Sequence, residues 1–204
     1  SSIACTDREQ RPSRHAGRGG AGAVMGSKGI KLIVIDDEGA KRLAPMDLDA
    51  FKAANRVFSE GLKKHAVTGE GLPAYGTNVL TNVINEAGGY PTRNFQKGRF
   101  EGASKISGET IAEMEDARGG TSSHSCHTGC IIKCSGIYHD AEGKFLTKQP
   151  EYETVWAHGG NCEIDDPDKI AMMDRLDDDF GLDTIEMGAT IGVAMEAGII
   201  EFGD

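Results

Sequence analysis

The stretch Gly17–Asp37, GRGGAGAVMGSKGIKLIVIDD, decides between two fold classes. Gly17, Gly19 and Gly22 satisfy the G-x-G-x-x-G spacing of a dinucleotide-binding loop. Such a loop, however, follows a buried strand and opens a helix of several turns. The preceding residues, TDREQRPSRHA with Pro12, are polar, and only seven residues separate Gly22 from the apolar run IKLIVI. The sequence therefore argues against a Rossmann fold and against NAD.

The same stretch still has the features of a ligand loop. It holds one fixed cation, Arg18, and runs into a strand predicted over Ile30–Ile35. Closely spaced glycines expose backbone N–H groups and let a ligand approach. The order Gly26-Ser27-Lys28 excludes a P-loop, which requires G-K-[ST]. An anionic ligand is predicted, and a glycine-rich surface turn is the plainer alternative.

The rest of the chain has a mainly helical pattern. Start signals are Asp47, Thr77, Ser107, the pair Asp166-Pro167, and Thr184. A hairpin is predicted in CSGIYHDAEGKFLT, with its turn at DAEG. We therefore expect an α+β fold in which residues 1–39 end a small N-terminal β domain and residues 45–204 form a helical domain.

Apolar spacing predicts which helix faces are buried. The helix after Asp47 should bury one stripe, and the helix after Pro167 another that ends before Gly181. The predicted inward side chains are Leu48, Phe51, Phe58, Leu62, Ile170, Met173 and Leu176. In the last helix, Gly188 and Gly192 permit close contact with a neighbour.

Composition limits the function classes. Of 204 residues, 32 are acidic and 22 are Lys or Arg, and the formal charge of −10 argues against nucleic acid as a partner. No apolar run has membrane-spanning length, and no leader opens the chain, so membrane association is not expected and a cytoplasmic location is. The chain starts without methionine, which suggests a piece of a longer protein. The oligomeric state is left open, a homo-oligomer included.

Three of the five cysteines lie close together in SHSCHTGCIIKCSG. Cys126, Cys130 and Cys134 would span about 12 Å along a regular helix, too far to hold one cluster, so the segment must bend. Thiolates select iron–sulfur clusters or zinc. A zinc site could be completed by His124 or His127, and unligated thiols are the third alternative. Cys162 has no feature that recommends it as a further ligand.

Two acidic segments carry candidate site residues. In PEYET, Glu151 and Glu153 flank Tyr152, and one carboxylate could serve as a general acid or base. The alternative is an acidic helix N-terminus. In DDDFGLDTIE the acidic spacing does not fit an EF-hand. Asp183 is expected either to cap a helix or to accept a hydrogen bond from a ligand.

Five ordered motifs together resemble the tungsten-dependent aldehyde ferredoxin oxidoreductase family. They are AGRGGAGAVMGSKGIKLIVI, YPTRNFQKGRF, the cysteine array, PEYET and GLDTIEMGATIGVAMEAG, and they span nearly the whole chain. The resemblance implies that the glycine-arginine loop cradles a pyranopterin-dithiolene cofactor. The matching positions are Arg18, Gly19, Gly20, Ala21 and Gly22.

The resemblance also implies the remaining site residues. A second pterin would contact Asp178, Leu182 and Asp183, and the active-site glutamate would be Glu153 rather than Glu151. A 4Fe-4S cluster would use Cys126, Cys130 and Cys134, with a fourth cysteine expected beyond Asp204. The metal would be tungsten or molybdenum, held by the pterins.

Two departures from the family suggest a bacterial branch. The first cysteine spacing is x3 where well-known members have x2, and Glu186 stands where many have serine. Family members are roughly three times longer, so this chain would be their middle.

The implied activity is oxidation of a small aldehyde to a carboxylic acid with ferredoxin or a similar carrier as acceptor. Alternatives are a low-potential acid or acyl reductase and a zinc-stabilised interaction module.

Overall fold

A computed structural model of the protein describes residues 1–6, 9, 11, 14–41 and 43–204. Pro12, part of the polar stretch before the glycine loop, lies outside the described residues. Within them the α-helices are α1 Ala21–Ser27, α2 Leu48–Lys64, α3 Leu72–Tyr75, α4 Leu80–Glu86, α5 Gly108–Ala117, α6 Tyr152–Thr154, α7 Pro167–Phe180 and α8 Thr184–Glu196. No helix in these ranges is long and apolar enough to cross a bilayer.

Shorter helical turns connect these helices. Four are 3₁₀ turns, at Arg18–Gly20, Gly76–Val79, Ala103–Ile106 and Gly160–Cys162. Two are π-helical, at Ala66–Gly71 and Val155–Gly159. The second π turn directly follows α6 and packs against α8.

One antiparallel sheet accompanies the helices, in the order β1-β2-β3. The strands are β1 Thr121–His124, β2 Ser135–His139 and β3 Phe145–Lys148. β2 and β3 form the predicted hairpin, in which Asp140 accepts hydrogen bonds from the turn. The cysteine segment connects β1 to β2. The helices and this sheet confirm the α+β class.

The strand predicted over Ile30–Ile35 is wrong. These residues form no strand in the described structure, and Leu32, Ile33 and Val34 are 66%, 71% and 79% exposed. The glycine stretch before them forms the short helix α1 rather than an open loop. An apolar run becomes a strand only when a neighbouring strand takes its backbone hydrogen bonds, and the described residues supply none here.

Most helix start signals are read correctly, while some buried faces are not. The helix predicted from Thr77 starts later, at Leu80, after the 3₁₀ turn Gly76–Val79. Asp47, Ser107 and Asp166 cap α2, α5 and α7 with their side chains. The stripe on α2 is nevertheless exposed: Leu48, Phe51 and Phe58 are 52%, 57% and 66% exposed. Leu176 of α7 is also exposed, because α7 turns Ile170 and its buried aspartates inward instead.

The core lies where α5, α7 and α8 meet the sheet and the π turn. Its fully buried large side chains include Tyr90, Ile106, Ile111, Tyr138 and Ile170. Helix α8 approaches closely through Gly188, where a Cβ atom would stand 2.6 Å from the Ala157 carbonyl. The predicted close contact at this glycine is confirmed.

Candidate active site

One cavity of about 320 Å³ brings together five of the predicted site residues. Its walls come from the segment before α1, the end of β3, the start of α6, and the α7–α8 turn. The predicted residues that line it are Arg18, Glu153, Asp178, Leu182 and Asp183. Predicted residues from three separate parts of the sequence therefore meet at one place.

The glycine loop forms a second opening beside the first. A cavity of about 510 Å³ is lined by Gly17, Arg18, Gly19 and Gly20 together with residues of the α7–α8 turn and α8. Gly19 and Gly20 have φ angles of 80° and 76°, in the region that favours glycine. Ala21 and Gly22 lie within α1 and line neither cavity.

Arg18 is held against the turn on the other side of the cavity. Its Nη2 lies 3.3 Å from Asp183 Oδ1 and its Nε 3.4 Å from Oδ2. Asp183 also caps α8 by accepting from the Glu186 N–H at 3.2 Å. The two roles weighed for Asp183 are therefore compatible, because the capping carboxylate also faces the cavity.

Helix α7 ends so that its last acidic residues reach this cavity. Gly181 takes a φ of 69° and terminates the helix, and the Leu182 N–H returns to the Asp177 carbonyl at 2.8 Å. His158 Nε2 lies 2.7 Å from Asp177 Oδ2, with both side chains buried. This buried pair fixes the helix end from which Asp178 and Leu182 project.

The two glutamates of PEYET differ in their partners, although both line the cavity. Glu151 Oε1 pairs with Arg14, and Oε2 accepts from Thr77 Oγ1 at 2.6 Å. Among the described residues, Glu153 has no hydrogen-bond or ion-pair partner. Glu153, which the family resemblance favours as the active-site glutamate, is therefore the one without a partner in the described ranges.

The cations around the cavity are each matched by a carboxylate. Arg14 pairs with Glu151, and Arg18 with Asp183. Lys148 Nζ lies 2.8 Å from Asp174 Oδ2 and 2.9 Å from Asp178 Oδ2. Burial lowers the pKa of Lys148, but the two carboxylates outweigh burial and hold that pKa above its ordinary value. The wall of the cavity is thus strongly polar, with five carboxyl side chains against three Arg and Lys side chains.

Sequence reasoning missed four residues of this wall: Arg14, His15, Lys148 and Asp174. The basic pair Arg14-His15 directly precedes the glycine loop and could have been included with it. For Lys148 and Asp174 the sequence offers no signal, because their proximity depends on β3 packing against α7.

The cysteine segment bends as expected. Residues 125–134 form no helix, and Gly129 has a φ of 85°. Cys126, Cys130 and Cys134 are half-buried. Burial, followed by the Glu151 charge, raises the pKa of the Cys134 thiol, while Arg14 opposes the rise. The segment therefore lies within electrostatic range of the cavity wall.

The cysteine segment is not arranged as a closed metal site in the described structure. In the part of the chain that the structure describes, no three His, Cys, Asp or Glu side chains are gathered as a metal site. His124 Nε2 is buried without a hydrogen-bond partner, and His127 is exposed. Cys162 lies apart in the core, where burial raises its pKa to about 12. The donor chemistry suits an iron–sulfur cluster, while the loop geometry assigns no ligand.

The cavities fit a phosphate-bearing, nitrogen-rich ligand better than they fit the metal itself. Two glycines with positive φ leave open backbone at one rim, since a Cβ on Gly19 or Gly20 would meet nothing within 4 Å. Arg18 supplies a cation there, while Asp178 and Asp183 supply carboxylate acceptors opposite. Phosphate oxygens accept hydrogen bonds from backbone N–H groups and from a cation such as Arg18. Ring N–H groups donate to carboxylates such as those of Asp178 and Asp183.

Two protein-family models match most of the chain. The model for aldehyde ferredoxin oxidoreductase, domains 2 and 3, matches residues 53–201. The model for the aldehyde ferredoxin oxidoreductase N-terminal domain matches residues 1–37. The chain belongs to the aldehyde ferredoxin oxidoreductase family.

The relatives described next are archaeal proteins. The chain is 46% identical over 184 residues to the tungsten-containing aldehyde ferredoxin oxidoreductase of Pyrococcus abyssi, covering 90% of this chain and 29% of that protein. The Pyrococcus horikoshii protein of the same name is 45% identical over the same shares. The aliphatic sulfonate oxidoreductase, WOR-like subunit, of Pyrococcus furiosus is 31% identical over 189 residues, covering 89% and 28%.

The chain spans less than a third of the length of these relatives. More than two thirds of each relative therefore has no counterpart in the sequence of this chain. The bacterial branch suggested by the cysteine spacing and Glu186 stays a prediction, because the relatives named here do not test it.

Proposed function

We propose that the protein is an oxidoreductase of the aldehyde ferredoxin oxidoreductase type, which converts a small aldehyde to the carboxylic acid and passes the electrons to ferredoxin or a similar carrier. The observation that carries the proposal is the meeting of Arg18, Glu153, Asp178, Leu182 and Asp183 around one cavity. The names of the most similar relatives compared here, at 42–46% identity, support the aldehyde as substrate class.

Tungsten- or molybdenum-bis-pyranopterin is the proposed cofactor, and when bound it supplies the oxygen transfer and two-electron redox chemistry. Arg18 with the backbone of Gly19, Gly20, Ala21 and Gly22 would hold the phosphate end of one pterin. Ala21 and Gly22 would contribute through the position of α1, since they do not line the cavities themselves.

The α7–α8 turn would hold the other pterin. Asp178 and Asp183 offer carboxylate oxygens to its ring N–H groups, and Leu182 presents its backbone and an apolar side chain at the cavity wall. Charge-assisted hydrogen bonds of this kind are each worth roughly 1.5–3 kcal/mol, enough to orient the ring system.

Glu153 is the proposed proton acceptor. A proton must leave as the aldehyde carbon gains an oxygen, and an unpaired carboxylate at the cavity wall can take it. Glu151 is less suited because Arg14 and Thr77 already occupy its two oxygens. Its role is to anchor the segment from which Glu153 extends.

A 4Fe-4S cluster is proposed on the cysteine segment, with Cys126, Cys130 and Cys134 as three of its ligands. The segment joins β1 to β2 and lies within electrostatic range of Arg14 and Glu151, which line the cavity. Electrons could therefore leave the cavity on this side. We further propose that residues 1–39 and 45–204 belong to different domains of the enzyme.

Elemental analysis of the anaerobically purified protein tests the proposal. Tungsten or molybdenum with about four iron atoms per chain, together with a visible iron–sulfur absorption band, is expected. Stoichiometric zinc in a colourless protein would instead support an interaction module and overturn the oxidoreductase. Turnover of an aliphatic sulfonate but no aldehyde by the metal-loaded protein would overturn the substrate class alone.

A further inference from the structure

Lys148 is a buried cation at the cavity wall that the family likeness does not explain. It is the last residue of β3, and its side chain is only 12% exposed. Its Nζ lies 2.8 Å and 3.0 Å from the two oxygens of Asp174 and 2.9 Å from Asp178 Oδ2. One ammonium thus bridges two carboxylates of α7.

The two carboxylates are not equivalent. Asp174 is fully buried and also accepts from Thr147 Oγ1 at 2.8 Å and Thr154 Oγ1 at 3.4 Å. Asp178 Oδ2 is taken by Lys148, whereas its Oδ1 has only the His15 Nδ1 atom at 4.0 Å within the described structure. Asp174 is saturated, and Asp178 keeps one oxygen able to accept a hydrogen bond from a ligand in the cavity.

The charge state of Asp178 depends on this lysine. Burial raises the pKa of the Asp178 carboxyl, the Asp174 charge adds to the rise, and Lys148 opposes both. A protonated carboxyl would offer a donor where a pterin ring N–H needs an acceptor. Removing the ammonium would therefore change the hydrogen-bonding character of Asp178 as well as its position.

We propose that Lys148 is a positioning residue that holds Asp178 as the ionised acceptor for a pterin N–H group. The inference rests on the proposed function. A contribution to folding is a weak reason for such a residue, because buried ion pairs are often no more stable than apolar side chains of similar size. Its place beside a carboxylate with one open oxygen points to ligand binding instead.

Bound pterin is the direct readout, measured as fluorescence of the oxidised pterin released from the anaerobically purified protein. Lys148→Met should contain roughly one tenth of the wild-type pterin per chain, as expected for the loss of one charge-assisted hydrogen bond. Lys148→Arg keeps the charge and should retain it. Lys144→Met, an exposed lysine of the same hairpin, is the matched control and should be loaded like the wild type.

A double variant separates binding from folding. Lys148→Met leaves Asp174 buried without its cation, so Lys148→Met/Asp174→Asn should recover thermal stability. It should regain only part of the pterin, because it removes the Asp174 charge that raises the pKa of Asp178 but does not restore the larger opposing effect of Lys148. Recovery of full pterin content in this double variant would show that Lys148 serves folding only and would overturn the inference. A second check is Asp178→Asn, whose pterin loss should not deepen when Lys148→Met is added, because each change alone already removes the ionised acceptor at position 178.

The two proposals fail differently. A wild-type protein that carries no pterin overturns the proposed function and this inference together. A wild-type protein rich in pterin, with Lys148→Met equally rich, overturns the inference and leaves the proposed function standing.

Discussion

Arg14 and Glu151 lie 137 positions apart in the chain and form an ion pair at the cavity wall. Thr77 donates to the other oxygen of Glu151, so both oxygens of this carboxylate already have a partner. Glu153, two residues later, lines the same cavity with no partner in the described ranges. The pairing of one glutamate thereby distinguishes the roles of both.

Replacing Glu153 by glutamine keeps the shape of the side chain and removes its basicity. We expect metal, pterin and iron to stay bound while aldehyde turnover falls by about 10²–10⁴. Steady-state kinetics on cofactor-loaded enzyme measures the effect. Glu151→Gln is the matched control and should reduce turnover less, with a loss of thermal stability from the broken Arg14 pair. Full activity of loaded Glu153→Gln would remove this residue from the mechanism.

Arg18 should contribute to cofactor retention. In Arg18→Ala a phosphate would keep only backbone donors, and loss of one charge-assisted contact lowers affinity roughly tenfold or more. Pterin and metal per chain, measured after purification, should fall together. Arg99→Ala is a suitable comparison, because Arg99 is similarly exposed at 64% and lies away from the cavity. Equal pterin content in both variants would contradict the assignment.

Cys130→Ser tests the cluster. A hydroxyl is a harder and poorer iron ligand than a thiolate, so iron content and the visible band should decrease together. The exposed Cys5 provides the comparison, since Cys5→Ser should leave both unchanged. Wild-type iron in Cys130→Ser would show that this thiol is not a ligand.

Gly188 and Gly61 should respond to alanine in opposite directions. A methyl group at Gly188 would meet the Ala157 backbone and should destabilise the fold by about 1–3 kcal/mol. Gly61 lies in α2 with nothing within 4 Å of an added Cβ, so alanine there should stabilise it by about 0.5–1 kcal/mol. Urea unfolding compares the two, and equal effects would contradict the close approach of α8.

Glu115 should make stability depend on pH. Its side chain is fully buried, and burial raises its pKa from 4.5 to about 9. The folded state therefore keeps the proton over a range in which the unfolded chain loses it. The free energy of unfolding should fall as pH rises between these values, by at most about 1.4 kcal/mol per pH unit.

Glu115→Gln removes this proton uptake. Relative to wild type, the variant should gain stability as pH rises from about 6 to about 8. Glu113→Gln, an exposed position on the same helix, should show no such gain. Parallel pH dependence of wild type and Glu115→Gln, measured by urea unfolding, would show that the carboxyl is ionised in the folded protein.

Local signals predicted the helix ends well. Asp47, Ser107 and Asp166 cap helices with their own side chains, and Gly181 ends α7, because each effect involves only neighbouring residues. The α+β class and the hairpin turn follow from the same local chemistry. The resemblance to the family adds the candidate residues that the cavity then brings together.

Features set by distant contacts were not predictable. Whether Ile30–Ile35 becomes a strand, or α2 buries its apolar stripe, depends on a partner surface that periodicity does not report. Lys148 and Asp174 meet only because β3 packs on α7. The Arg14 pair with Glu151 likewise has no local signature, which is why the free glutamate could not be chosen by geometry beforehand.

The two arginine pairs also order the folding of this chain. Arg14 reaches Glu151 across 137 positions, and Arg18 reaches Asp183 across 165. Contacts between such distant positions carry a large loop-closure cost, so they form after the local helices and the hairpin. The glycine stretch should therefore dock last onto an already folded helical region. It should also detach first, which would make cofactor loading a late step that opening of this one segment can reverse.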